Sequence, residues 1–419
     1  MVKVGIIGVG TVGTSVAQIL RDNADVISAR AGREIVVKSG VVKNLKKERG
    51  LDIIITDNVD DVLNDSEIDI VVELMGGVDE AYEVVKKALS KGKAVVTANK
   101  ALLAYHRYEL QEIAGTQAFE YEAAVAGGIP IINALRDGLT ANHIESIVGI
   151  MNGTCNYMMT KMANDGVAYD AILKEAQDLG YAEADPEFDV GGYDAAHKLL
   201  ILASIAYGID AKPEDILIEG IQNVSSEDVA FAKEFGYAIK LLTIAKKDGS
   251  EVELRVHACM ISQDEMIAKI DGVMNGVSVV GDKVGETLYY GPGAGGDATA
   301  SAVIADIVSI ARSGKSAPML GFDKPMEGKL TLKPSANIES KYYLRINVSD
   351  KAGVLAKITK IFETHNISVE TMLQKSTSEV SANLLISTHM ALESNIQAMI
   401  SELEMLDFVN HKPVMIRIV

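Results

Sequence analysis

The opening stretch VKVGIIGVGTVGTSVAQILRD, from Val2 to Asp22, constrains this chain more than any other. Its apolar first half reads as a buried strand, and TSVAQILRD spaces its apolar residues as a helix does. Between the two, Gly8, Gly10 and Gly13 form GxGxxG, with Thr11 and Val12 inside the spacing. Glycines there permit a tight turn and let a pyrophosphate approach the open amides of a helix N-terminus. In this strand–turn–helix context the pattern implies a dinucleotide site. The bland alternative is a turn whose glycines serve only helix–sheet packing.

Further strands follow in IVVKSGVVK, IDIVVELMGG, KAVVTANK and QAFEYEAAVAGGIP, alternating with helical segments such as DEAYEVVKKALSKG. Such alternation predicts an α/β fold with a doubly wound, Rossmann-type parallel sheet over residues 1–135. An acidic residue at the end of the second strand would favour NAD. Glu34 instead stands at that strand's start, and its end carries Lys43 and Asn44, with Lys46 and Lys47 beyond. Lys43 suits a 2′-phosphate, so NADP is the favoured cofactor, with NAD the alternative; solvated surface lysines remain the plain reading of Lys46 and Lys47.

From about Arg136 the pattern becomes mixed α+β, through HIESIVGIMNG, the helix AYDAILKEAQDLG and the alternating strand EVELRVHACMIS, which reads as packed on one side. In that helix Ile172, Leu173, Ala176 and Leu179 share a face, and Gly180 stops it. A second domain is expected over 136–291. A return segment over about 292–320, with a helix from about Thr299 to Ser313, is expected to pack back on the first domain. Residues 321–340 read as a linker, and 341–419 give the order βαββαβ of a small ferredoxin-like domain. The formal net charge of −18 argues against nucleic acid or an anionic membrane surface as partner. The two cysteines, Cys155 and Cys259, lie far apart, and apolar runs such as LLILASIAYGI are shorter than the ~20 residues of a membrane span. A soluble cytoplasmic protein is expected.

The segment GYAEADPEFDVGGYDAAHK places Glu183, Asp185, Glu187, Asp189 and Asp194 before Lys198, which opens onto the apolar LLILASIAY. Asp194 and Lys198 are four apart and share a helix face. A lysine at the start of a buried helix is costly unless paired. It is either half of a structural ion pair or an ammonium held ready to exchange a proton with a substrate oxygen.

Over its full length this segment resembles the signature of homoserine dehydrogenases. TANKALLA (Thr97–Ala104), YEAAVAGGIPII (Tyr121–Ile132), GIMNGTCNYM (Gly149–Met158) and GPGAGGDATASAV (Gly291–Val303) are similar to the family's other blocks, in order. The resemblance covers about residues 1–320 and implies a catalytic and dimerisation domain over 136–291, and the tail, 341–419, resembles a regulatory ACT domain. It implies NAD(P)H-dependent reduction of L-aspartate 4-semialdehyde to L-homoserine, on the route to threonine, methionine and isoleucine. By the same resemblance Lys198 is the proton donor and acceptor, Lys100 a second lysine near cofactor and substrate, and Glu183 and Asp194 the carboxylates that hold the substrate ammonium. Asn152, Gly153 and Thr154 are expected to line the cleft, and Gly295 to lie near the cofactor. Glu122, Val125, Gly127 and Ile129 match positions whose backbone carbonyls hold a monovalent cation such as sodium; a plain turn before Pro130 is the alternative.

In the tail, DKAGVLAKI (Asp350–Ile358) and Asn366-Ile367-Ser368 resemble the ACT turn, helix start and next strand. This implies an amino-acid effector, with L-threonine the natural expectation, nearest Asp350, Gly353, Asn366 and Ile367; a dimerising module without ligand is the alternative. A homodimer or homotetramer is expected. Three rival readings stay open: a non-catalytic NAD(P)-binding amino-acid sensor, a hydroxyacid dehydrogenase carrying an ACT domain, and an acylating aldehyde dehydrogenase with Cys155 as nucleophile. The last lacks a histidine near Cys155 in sequence, and His197 reads as packing or surface.

Overall fold

A computed structural model describes the chain except at positions 315–317, 325, 327 and 379. Those parts of the expected return segment and linker lie outside the described residues. Two compact units interleave along the chain. One comprises residues 1–153, 194–215 and 273–331, the other residues 154–193, 216–272 and 332–419.

In the first unit, strands β1 (Val2–Ile7), β2 (Ile35–Val41), β3 (Ile54–Thr56), β4 (Ile70–Glu73), β5 (Ala94–Thr97) and β6 (Phe119–Glu120) form a parallel sheet in the order β3-β2-β1-β4-β5-β6. Strand order reverses between β1 and β4, which opens a crevice beyond their C-terminal ends. All of β4 is buried, as a central strand covered on both faces requires. The return helix is present over Gly296–Ser313 and packs Ala300, Val303, Ile304 and Ile307 into one core with Val4, Ile6, Val16 and Leu20. It starts earlier than its apolar spacing suggests, and its first residue packs closely: a Cβ on Gly296 would lie 2.8 Å from Ser15 Oγ. The same unit carries an antiparallel set, Ile144–Ile150, Met274–Gly281 and Gly285–Pro292.

In the second unit, Tyr237–Asp248 pairs antiparallel with Glu251–Ser262. The last strand of the chain, Val414–Ile418, runs parallel to Glu251–Ser262 with Arg417 opposite Cys259. Glu339–Ser349, Ser381–Thr388 and Val369–Ser376 continue from it, all antiparallel. With helices Val354–Thr364 and Glu393–Glu404 the tail has the expected βαββαβ order, but its sheet is continuous with that of the central segment. Part of the expected linker is tied down as well, since Lys333 N donates to Val252 O at 2.9 Å.

Two local expectations need correction. Glu251–Ser262 is buried on both faces, its polar side chains only partly paired: Arg255 Nη2 lies 3.3 Å from Glu253 and His257 Nδ1 lies 3.1 Å from Cys259 Sγ, whereas Arg255 Nε and Nη1 and His257 Nε2 are buried without a hydrogen-bond partner among the described residues. In the helix Tyr169–Asp178, Ile172 and Ala176 are buried but Leu179 is 54% exposed. The helix ends one residue earlier, and Gly180 turns the chain away at φ +76°. No helix among the described residues is long and apolar enough to cross a membrane.

Candidate active site

The three glycines of the first turn have different physical reasons. Gly8 sits at φ +105°, and a Cβ on it would lie 2.5 Å from Leu74 O; one on Gly13 would lie 2.4 Å from Gly8 O. Both are therefore required by the protein's own packing. A Cβ on Gly10 would meet nothing within 4 Å, although Gly10 caps the helix Thr11–Asp22 and no side chain caps it instead. A bare, uncapped helix start with Thr11, Val12 and Gly13 in its first turn suits a pyrophosphate. At the end of β2, Lys43 is exposed, and Glu34 stands at the opposite end of the strand, where its carbonyl accepts from Val2 N at 2.7 Å. Arg49, not singled out from sequence, folds back so that Nε donates to Val9 O of the glycine turn at 2.9 Å. It belongs to the same basic run as Lys43, which was the available signal.

Beyond β4 and β5 lies a buried polar scaffold. Glu73 accepts from Met75 N at 2.8 Å and Thr97 Oγ1 at 2.6 Å, and burial raises its pKa. Thr97 Oγ1 accepts from Asn99 N at 3.0 Å, and Asn99 Oδ1 caps the helix Lys100–Ala114 through Leu102 N at 3.0 Å. In TANK, then, Thr97 and Asn99 build the turn that delivers Lys100 as the first helical residue. Arg107, two turns further along, is buried and donates to Ser204 Oγ at 2.5 Å and Ala211 O at 2.6 Å, tying this helix to the far end of Tyr193–Tyr207.

At the near end of Tyr193–Tyr207 the charged residues converge. Lys100 Nζ lies 2.8 Å from Asp194 Oδ1, and Lys198 Nζ lies 2.8 Å from Asp194 Oδ2. Asn152 Nδ2 donates to the same Oδ2 at 2.8 Å, and Lys198 Nζ also donates to Met151 O at 2.7 Å. Asp194 is 3% exposed. Burial alone would push its pKa up, but the Lys198 and Lys100 ammoniums outweigh that and hold the carboxylate well below its usual range. The cluster thus carries two ammoniums on one carboxylate. Lys100 is the more open of the two, its side chain 35% exposed against 10% for Lys198. His197 is buried against Tyr105, edge to face at 5.7 Å, and its pKa is pushed down to about 4, mainly by burial.

The segment Glu122–Ile129 is almost wholly buried and turns through two consecutive left-handed residues, Ala126 at φ +54° and Gly127 at φ +51°. Alanine rarely adopts that conformation, so the turn is held against a local cost. Among the described residues no backbone N–H donates to the carbonyls of Val125 or Gly127, whereas those of Glu122 and Ile129 accept from Val125 N at 3.5 Å and Ile131 N at 2.8 Å. Glu122 turns its carboxylate to Ile132 N and Asn133 N, both at 2.8 Å, and its own N donates to Asp306 Oδ2 at 2.8 Å. Glu120, paired with Arg136 at 2.7 Å, completes a buried acidic group that sequence reading missed. Gly295, at φ +117°, precedes the return helix, with nothing within 4 Å of its absent side chain. Gly153 meets Val273 O, 2.7 Å from where a Cβ would stand.

In the second unit, Thr154 Oγ1 donates to Tyr181 O at 2.7 Å. Glu183 is exposed, its backbone carbonyl accepting from Gln177 Nε2 at 3.0 Å. Cys155 is fully buried and its thiol donates to Asp189 O at 3.3 Å, an inert packing role rather than that of a nucleophile. In the tail, Gly353 at φ +86° precedes the helix Val354–Thr364 and Asn366 takes φ +55° beyond it. Asp350 accepts from Gln374 Nε2 at 3.2 Å, and Ile367 is buried, bonded to Phe362 O at 2.9 Å.

Comparison with known proteins agrees across the whole chain. Residues 130–308 match the family described as homoserine dehydrogenase, residues 8–122 its NAD binding domain, and residues 342–407 the ACT domain. A homoserine dehydrogenase of Helicobacter pylori is 54% identical over 417 residues, covering 99% of this chain and 98% of its own. The crystal structure of a homoserine dehydrogenase from Thiobacillus denitrificans superposes with a TM-score of 0.92 at 46% identity, over 100% of this chain and 98% of that one. A hyperthermophilic archaeal homoserine dehydrogenase in complex with NADPH superposes with a TM-score of 0.63 at 28% identity, over 74% of this chain and 97% of its own.

Proposed function

This chain belongs to the homoserine dehydrogenase family of NAD(P)-dependent oxidoreductases, and from that premise we propose how its own residues reduce L-aspartate 4-semialdehyde to L-homoserine. The observation that carries the proposal is the sharing of one buried carboxylate by Lys100 and Lys198. The reduced nicotinamide supplies the hydride. As the aldehyde oxygen becomes an alkoxide, Lys198 stabilises the growing charge and delivers a proton from Nζ; in the oxidative direction it takes that proton back. Asp194 keeps Lys198 charged and fixes its direction, and Met151 O and Asn152 fix it further. Lys100, the more exposed ammonium, faces the substrate oxygen or carboxylate.

This changes the role expected for Asp194. Its oxygens are engaged by two lysines and an amide, so it serves better as counter-charge than as holder of the substrate ammonium. Glu183 is left as the candidate for that contact, with Thr154 bonded to Tyr181 O two residues before it, and Gly153 stays a candidate for the substrate cleft. Gly8, Gly10, Thr11, Val12, Gly13 and Gly295 form the proposed cofactor cradle. Lys43, joined now by Arg49, favours NADP through its 2′-phosphate. A monovalent cation held by the carbonyls of Glu122, Val125, Gly127 and Ile129 fits the turn, where no backbone donor among the described residues reaches the Val125 and Gly127 carbonyls.

The same reading takes 1–135, 136–291 and 341–419 as nucleotide-binding, catalytic and ACT domains in a cytoplasmic homodimer or homotetramer. It assigns L-threonine feedback to Asp350, Gly353, Asn366 and Ile367. Steady-state oxidation of NADPH and NADH with L-aspartate 4-semialdehyde, with and without L-threonine, tests it. Rapid NADPH oxidation suppressed by threonine is expected, and Lys198→Ala should cut turnover by about 10²- to 10⁴-fold with cofactor affinity kept. Comparable turnover in the variant removes Lys198 from the chemistry, and no oxidation by folded, cofactor-binding protein revives the sensor.

A further inference from the structure

Within the second unit, one guanidinium joins the C-terminal module to the carboxylate-bearing segment. Arg417, in the last strand, is fully buried. Its Nε donates to Glu393 Oε2 at 2.8 Å, and Glu393 is itself held by Tyr342 Oη at 2.9 Å and Gln397 Nε2 at 2.8 Å. The other side of the fork grips Glu219 in two parallel bonds, Nη1 to Oε2 at 2.7 Å and Nη2 to Oε1 at 3.0 Å. Beyond Glu219 the chain lies against the segment after Glu183. Ile221 N donates to Val190 O at 2.9 Å, and Gln222 Nε2 donates to Glu187 Oε2 at 3.1 Å. Glycines leave no slack between them: a Cβ on Gly220 would stand 2.2 Å from Val190 O, and one on Gly192 3.3 Å from Glu219 O. A shift of Glu219 must therefore move the short helix Glu187–Val190, which begins four residues after Glu183.

We infer that Arg417 and Glu219 are positioning residues for the Glu183 segment, so that the C-terminal module sets how the substrate is held. The inference rests on Glu183 as the contact to the substrate ammonium. A bidentate guanidinium bridge suits this task, because it fixes both distance and direction between the carboxylates it joins. The bridge is also a contiguous route by which an occupant of the module reaches the substrate without touching it.

The test uses Glu219→Gln and Gln222→Ala in the full-length enzyme, both at positions open enough to tolerate change, beside Glu183→Gln. Glu219→Gln should raise KM for L-aspartate 4-semialdehyde about 3- to 10-fold, the range of coupling along such a network, while kcat and KM for NADPH stay nearly constant. Gln222→Ala should shift the same constant in the same direction by less. Combining Glu219→Gln with Glu183→Gln should add nothing to Glu183→Gln alone, because the first acts through the second. Lower thermal stability with an unchanged KM in both variants reduces the bridge to a structural tie and overturns the inference. If Glu183→Gln leaves KM unchanged, the Glu183 assignment fails; a rise with Glu219→Gln in that case refutes the stated route, since the effect then reaches the substrate some other way.

Discussion

Replacing Asp194 by asparagine separates the two roles open to it. The carboxylate accepts from Lys100 at one oxygen and from Lys198 and Asn152 at the other. An amide of the same shape has one accepting end, so either Lys100 or Lys198 must face an NH2 group. Breaking a buried charge pair costs about 3–5 kcal/mol. If the loss falls on the proton donor in the transition state, that is roughly 10²- to 10⁴-fold in turnover at 1.36 kcal/mol per decade. The upper end matches what a general acid contributes, so Asp194→Asn should not exceed Lys198→Ala. The double variant should be no slower than Lys198→Ala, because the two act as one unit. Single-turnover hydride transfer, followed by loss of reduced-nicotinamide absorbance over a range of aldehyde concentrations, reads both quantities. A rise in KM with the transfer rate intact would refute the counter-charge reading and return Asp194 to the substrate ammonium. Multiplicative effects in the double variant would show that Asp194 and Lys198 act independently.

Gly10→Ala should leave thermal stability unchanged but raise KM for the cofactor at least about tenfold by obstructing the pyrophosphate, since only open space surrounds the added methyl; Gly13→Ala should instead destabilise the fold, and equal effects of the two on melting temperature would refute the distinction. Arg49→Gln should raise KM for NADPH more than KM for NADH, measured in parallel; an equal rise for both coenzymes would deny the guanidinium a 2′-phosphate contact. Burial raises the Glu122 pKa from 4.5 to about 7 despite two backbone amide bonds. The folded state therefore keeps a proton that the unfolded chain has lost, and stability falls as pH rises from about 4.5 to about 7, then levels. Glu122→Gln should lack that slope in denaturant titrations across the window; parallel curves for both proteins would show that Glu122 is ionised throughout.

The elements that could be read from sequence are those whose causes are local. GxGxxG between an apolar run and a helical spacing fixes a strand, a turn and a helix start within thirteen residues. The Asp194–Lys198 pair follows from helical periodicity alone. The partners that were missed come from elsewhere in the chain. Lys100 reaches Asp194 only because β5 and its capped helix end beside Tyr193–Tyr207, which no spacing in TANK reveals. Glu73, Glu120 and Asp306 each look like an ordinary acidic residue in an apolar stretch; their burial depends on sheet order and on the return helix. The strand containing Arg255 and His257 alternates as a solvent-facing strand does, but its polar side is buried as well. The tail's own βαββαβ order is local and legible, whereas its last strand's parallel pairing with Glu251–Ser262 is not.

The excess of negative charge before Lys198 has a division of labour that follows from burial. An interior carboxylate can stay ionised only when cations repay its lost hydration, and Asp194 has two. Glu183 is exposed and keeps its hydration, which suits the role proposed for it, since a hydrated carboxylate exchanges an ammonium reversibly. Glu187 is spent on Gln222, holding the segment's shape. The acids of this stretch therefore differ in what faces them rather than in kind. Placing an extra cation near Glu183 by mutation should raise KM for the aldehyde and KM for L-homoserine by similar factors in the two assay directions, because the added charge competes with the same ammonium in both; a rise in only one of them would deny Glu183 that contact.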